Sequence, residues 1–383
     1  MPSVTPIHDP KYHLWGLIGI RNGIRSSNEL RECVLKRNDM FTERFGLLVR
    51  DSPMAKIGEL IAWELEQMGY ILREPAGYRL TATGNDLSSA LENNATAQEA
   101  VMNEFMPNMI AAFDDMQVFL KYLLQLEDGI FVPGVPGISE VPGGTQGFAL
   151  PSYLQQCKTY ISSKWNWTTP LLWDDKLLAE KTEYWIREST STKPYDLARA
   201  LYRDYFLTKY FGGELGDVKY KVIRDRFHYF GLANYSEHMP VFDGEVMYSL
   251  IWNKAKTEYA KPIVLCGKTY FRSRPSWKDI SENFLSALWD IHRGFPGVGY
   301  VPVMDLRDGV CFKLRISDMD FDDLLRQARI EGQRGHTPIR ILADPSNLGS
   351  RETSKKRIPI DFGKKTGMGI RTLIALEAAT QKS

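Results

Sequence analysis

The chain has 383 residues, enough for two or three separately cored units, and its 43% hydrophobic and 25% charged residues are the balance of an ordinary folded protein, not a disordered one. A formal net charge of +1 excludes a polycation, so any nucleic-acid surface has to come from local segregation of charge. No apolar run reaches the ~20 residues that cross a bilayer, and "MPSVTPIHDPKYHLW" lacks a basic region followed by an apolar core, so the reading is cytoplasmic, without signal peptide or membrane partner.

Residues 1–96 form the first expected unit. "SSNELRECVLKRN" is a helix with Ser27 or Asn28 as cap. In 52–93, Ile57, Leu60, Ile61, Trp63, Leu65 and Met68 trace a helical apolar face, with Pro53 near the first turn. Gly69 closes that helix, "YILRE" and "YRLTATG" are strands about a "PAG" turn, and another helix follows. Glu59, Glu64 and Glu66 make the long helix a packing or interface helix. Residues 97–126 read as a Met- and Leu-rich helical connector interrupted at Pro107, more often core than an adaptable partner surface.

The Gly- and Pro-dense residues 127–151 read as a linker, because such a segment holds no helix and makes a poor central strand. From 152 to 260 an aromatic helical stretch with Trp165, Trp167 and Trp173 leads into a second unit, the tryptophans reading as core or protein contact before base stacking. That unit runs helix, helix ("KYKVIRDRFHYF"), strand ("GEVMYSLIW").

The last unit spans 261–383. "SWKDISENFLSALWDIHRG" is a helix capped by Ser276, "YVPVM" a strand, and "DLRDGVCFKL" a short helix. "SDMDFDDLLRQARIEG" is a second helix capped by Ser317, and "IRILAD" and "RTLIALEAA" are strands about a long basic loop.

This order of elements, seen three times without residue-for-residue repetition, resembles the winged helix-turn-helix superfamily. The last unit is similar to those accompanying bacterial helicases, ATPases and phage-defence components. The resemblance implies a mainly α fold with small β-wings (α+β), as tandem winged-helix units joined by helical segments. It also implies a later helix entering a DNA groove and a wing on phosphates, or else docking to proteins. Charge distinguishes these uses, because phosphate contact needs Lys or Arg. Lys219, Lys221, Arg224 and Arg226 make the middle helix the groove-facing candidate, with a solvated helix face as the bland reading. In the loop of the last unit, Arg351, Lys355, Lys356, Arg357, Lys364, Lys365 and Arg371 oppose only Glu352 and Asp361, a net +5 that suits a phosphate-binding arm or a solubilising loop. The last helix opens with Asp318, Asp320, Asp322 and Asp323, which favour the helix dipole and repel phosphate, and are assigned to a protein partner such as an ATPase, helicase or nuclease.

No enzyme motif emerges. Cys33, Cys157, Cys266 and Cys311 are scattered, the six histidines form no ligand pair, and "DFGKKTGMG" lacks the spacing of a phosphate loop, so neither metal nor cofactor is expected. Asp243, Glu245 and Lys254 miss the spacing of a nuclease carboxylate–lysine group. The reading is a non-enzymatic subunit of a DNA-processing or phage-defence system that binds duplex DNA and docks a partner. A purely structural assembly subunit, or a nuclease subunit with a dispersed acidic site, are the alternatives.

Overall fold

A computed structural model describes residues 2–45, 54–93, 96–126, 130–133, 217–236, 244–295, 299–344, 360–361, 370–371 and 373–378. Its architecture is mixed α/β, with a majority of helix and small antiparallel sheets of two or three strands.

Helices α1 (Lys11–Arg21), α2 (Ser27–Phe45) and α3 (Ile57–Gln67) pack together, followed by the hairpin β1 (Ile71–Glu74) and β2 (Gly77–Leu80) and helix α4 (Ala82–Glu92). The cap of α2 is Ser26, one residue earlier than expected. Its hydroxyl accepts from Glu29 N at 3.3 Å while Glu29 Oε2 accepts from Ser26 N at 3.1 Å, a reciprocal pair that satisfies two orphan donors. Gly69, at φ +77°, ends α3 as the sequence requires. The Thr81 hydroxyl accepts from Gly84 N at 3.0 Å and starts α4.

Pro107 does not break the next segment. A π-helical turn at Val101–Phe105 between α5 (Ala97–Ala100) and α6 (Met106–Ala112) places the proline in a first turn, where its missing N–H costs little, and the break comes at the extended Phe113 before α7 (Asp114–Leu123). Met102, Met106, Met109 and Met116 are buried, so the methionine stripe is core.

The Gly/Pro-rich stretch is not wholly a linker. Ile130–Pro133 (β3) pairs with β5 (Gly244–Ser249), which also pairs with β4 (Ala233–Ser236), beside α8 (Asp217–Tyr229). One sheet also runs across position 260: β6 (Ile251–Trp252), β7 (Ala260–Leu265) and β8 (Lys268–Ser273), in the order β6-β8-β7.

After it come α9 (Trp277–Arg293), β9 (Val301–Pro302), α10 (Val303–Leu314), α11 (Asp318–Gln333), β10 (Ile339–Asp344), the short pair β11 (Ile360–Asp361) and β12 (Ile370–Arg371), and β13 (Leu373–Ala378). The strand expected at 300–304 is shorter, because α10 begins at Val303; the sheet order is β10-β13-β9. Two apolar cores result. One joins α1–α8 to β4, β5 and the inner face of β7–β8; the other lies among α9, α10, α11, β10 and β13.

Candidate nucleic-acid interface

Helix α8 was expected to turn four cations toward a groove, and the structure corrects two of them. Tyr220, Ile223, Phe227 and Phe230 bury one side of the helix, and the N-terminal segment lies over the adjoining side. Arg226 is therefore fully buried: Nε donates to Ile7 O at 2.9 Å, and Nη2 to Thr5 O at 3.3 Å and Glu64 Oε1 at 2.9 Å. Glu64 also accepts from Thr5 N at 2.6 Å, and its Oε2 lies 2.7 Å from His13 Nε2, both side chains fully buried. Burial alone would push the Glu64 carboxyl up, but Arg226 and His13 hold it well below the ordinary carboxylate range. Arg224 is buried too, donating to Asp225 Oδ1 at 2.7 Å with its guanidinium 3.9 Å from the centre of the Tyr235 ring. Lys219 reaches Ser3 Oγ at 3.0 Å and Asp115 Oδ2 at 3.3 Å. Of the four, Lys221 is the exposed one.

The aspartates of α11 are also corrected, in three places of four. Asp320 closes a capping box with Ser317, whose Oγ accepts from Asp320 N at 3.1 Å. Asp318 accepts from Asn234 Nδ2 at 2.8 Å and lies 3.0 Å from His228 Nε2. Asp322 Oδ1 accepts from Arg307 Nε at 2.9 Å and Nη2 at 2.8 Å; burial pushes its carboxyl up to about 6 even against that guanidinium. These three charges are engaged within the chain. Asp323 is surface-exposed, 2.6 Å from Arg326. Arg351, Lys355, Lys356, Arg357, Lys364 and Lys365 lie outside the described residues, as do Cys157, Trp165, Trp167 and Trp173; Arg371 stands opposite Ile360 in the β11–β12 pair.

A cationic surface that the sequence reading missed lies on the β7–β8 ribbon and its flanks. Between Asn253 and Asp279, Lys254, Lys256, Lys261, Lys268, Arg274 and Lys278 are exposed, against two exposed carboxylates, Glu258 and Asp279. Chain folding gathers them. Lys261 stands opposite the buried Arg272 at the base of the ladder, Lys268 opposite Leu265 near its tip, and Arg274 N donates to Tyr259 O at 3.2 Å beside the 254–258 loop. The tip turns through Cys266 and Gly267, both at positive φ (48° and 73°). No run of basic residues marks this surface in the sequence, since its cations are spread over some 25 positions. The signal that existed was their scarcity of acidic neighbours.

The ribbon is also tied to the turn between α10 and α11. Three successive carbonyls of that turn accept side-chain donors: Leu314 O from Tyr259 Oη, Arg315 O from Ser273 Oγ at 2.6 Å, and Ile316 O from Asn234 Nδ2 at 3.5 Å. Arg315 adopts φ +54°, which costs an L-residue about 1–2 kcal/mol. Its guanidinium lies 4.6 Å from the Phe312 ring centre and 5.0 Å from that of Tyr248, cation–π contacts that offset that cost.

Among the described residues, no group of three His, Cys, Asp or Glu side chains is placed to hold a metal ion, and no helix is long and apolar enough to cross a membrane. No family model and no curated protein matches the chain. One solved structure, the restriction endonuclease FokI, overlays on 93% of this chain and 66% of its own length at 11% identity and a TM-score of 0.25. A likeness that weak carries no argument about fold or activity.

Proposed function

We propose that the chain is a DNA-binding and partner-docking subunit of a multi-protein DNA-processing or phage-defence system. The excess of exposed cations on the 253–279 surface carries this reading, because phosphate neutralisation is the main source of affinity for nucleic acid and requires such an excess. The winged-helix interpretation belongs to the same proposal. It is supported by the order α1, α2, α3, β1, β2 in the first unit and α9, β9, α10, α11, β10, β13 in the last. In that interpretation α11 does not enter a groove by its first turn, since Asp318 and Asp322 are engaged within the chain. Partner contact falls to Asp323 and the exposed face around it.

The test is binding of the full chain to a labelled duplex at graded salt, with and without magnesium. Affinity that falls steeply with salt, with the DNA left intact, supports the proposal. No binding at low salt turns the reading to a purely structural assembly subunit. Magnesium-dependent cleavage turns it to a nuclease subunit with a dispersed acidic site.

A further inference from the structure

The ribbon's geometry points to how DNA is held, an inference that rests on the DNA reading above and deepens it. Ile263, Leu265 and Tyr270 on its inner face belong to the first apolar core. The ribbon therefore cannot detach and sink into a major groove about 12 Å wide, as a free-standing β-ribbon does. What remains accessible is its outer face, with Pro262, Val264 and Thr269 exposed, and its two ends, where Lys261 and Lys268 take inner-face positions in the ladder but are themselves exposed. Lys261 and Lys268 are four ladder rows apart, about 13 Å at ~3.3 Å per residue, which spans about four base pairs at ~3.4 Å of axis each. Arg274 continues past the base, where its N donates to Tyr259 O, and the exposed Lys254 follows β6 on the other flank of β8.

Single-stranded nucleic acid is held largely by stacking on exposed rings. The rings here are unsuited to it: Trp252, Tyr259 and Tyr270 are buried, and Phe271 and Trp277 are partly buried. The exposed groups of the outer face offer no paired donors and acceptors for a base edge either. We propose that the ribbon lies along the backbone of duplex DNA, with Lys254, Lys261, Lys268 and Arg274 on phosphates and no base-edge readout.

The test compares the full chain with a Lys254→Gln/Lys261→Gln/Lys268→Gln/Arg274→Gln variant on duplexes of two unrelated sequences and on a single strand. Four phosphate contacts contribute about −3.6 to the slope of log affinity against log salt, or about 150-fold weaker binding from 50 to 200 mM. The variant should lose that part of the slope, and Lys268→Gln alone about 0.9 of it, so the result stands even if the fourfold variant folds poorly. The wild type should bind both duplexes alike and the single strand more weakly. An unchanged slope in well-folded variants with wild-type duplex binding intact overturns the ribbon as the phosphate contact while leaving DNA binding standing. Equal binding of the single strand overturns duplex selectivity, and strong preference for one duplex overturns backbone-only contact. No binding of any DNA by the wild type overturns the DNA reading itself and this inference with it.

Discussion

Arg226 and Glu64 show how far a residue's role is set by neighbours distant in sequence. They stand 162 positions apart, and together they fasten the N-terminal segment to α3 and α8 through Thr5 and Ile7. Removing one partner leaves a buried charge uncompensated, so Glu64→Gln should cost about 3–5 kcal/mol in urea unfolding at neutral pH. The pH dependence follows from the depressed carboxyl. Its contribution is present above the ordinary carboxyl range and is lost as pH falls below it, so wild-type stability should fall more steeply than that of Glu64→Gln on acidification from about pH 5. Asp322 has the opposite sign. With its carboxyl raised to about 6, it contributes below the ordinary carboxyl range and loses that contribution as pH rises through about 6. Asp322→Asn should flatten stability across that window, and a carboxyl midpoint near the ordinary range in NMR titration would contradict the burial assigned to it. None of this was legible in sequence: "RDR" reads the same on a groove-facing helix as on one roofed by the chain's own N-terminus.

Elements were more legible than residues where the signal is local. The caps at Ser276 and Ser317, the stop at Gly69 and the hairpin about Pro75 all depend on chemistry within a few residues, and the structure has each of them. Strand β3 was hidden because its pairing with β5 comes from far along the chain, and a Pro- and Gly-rich context masks it. Close approach of helices is testable at Gly58, where a Cβ would collide with Ser27 O and Arg31 N of α2. Gly58→Ala should therefore cost about 1–3 kcal/mol, read as a lowered urea midpoint. The α10–α11 turn is testable at Tyr259. Tyr259→Phe removes the donor to Leu314 O and should cost about 1–3 kcal/mol, with faster hydrogen exchange concentrated at the turn.

Among the described residues, polar side-chain ties and a ring contact join the two apolar cores. Ser236 donates to Asp308 at 2.6 Å and Asn234 to Asp318 at 2.8 Å, and the Tyr248 and Phe312 rings meet edge-on at 5.3 Å. Of the acidic groups that looked like a partner's docking site, Asp318, Asp320 and Asp322 are engaged within the chain and Asp323 is exposed. Of the basic groups that looked like a groove reader, Arg226 is engaged under the N-terminal segment and Arg224 against Asp225 and Tyr235. The ribbon is exposed, and its charge is visible only after folding has gathered it. The most direct test of that account is hydrogen–deuterium exchange of the full chain with and without a saturating duplex. Protection centred on residues 253–279 is the predicted result; protection confined to α8 or to the first turn of α11, with the ribbon unchanged, would contradict it.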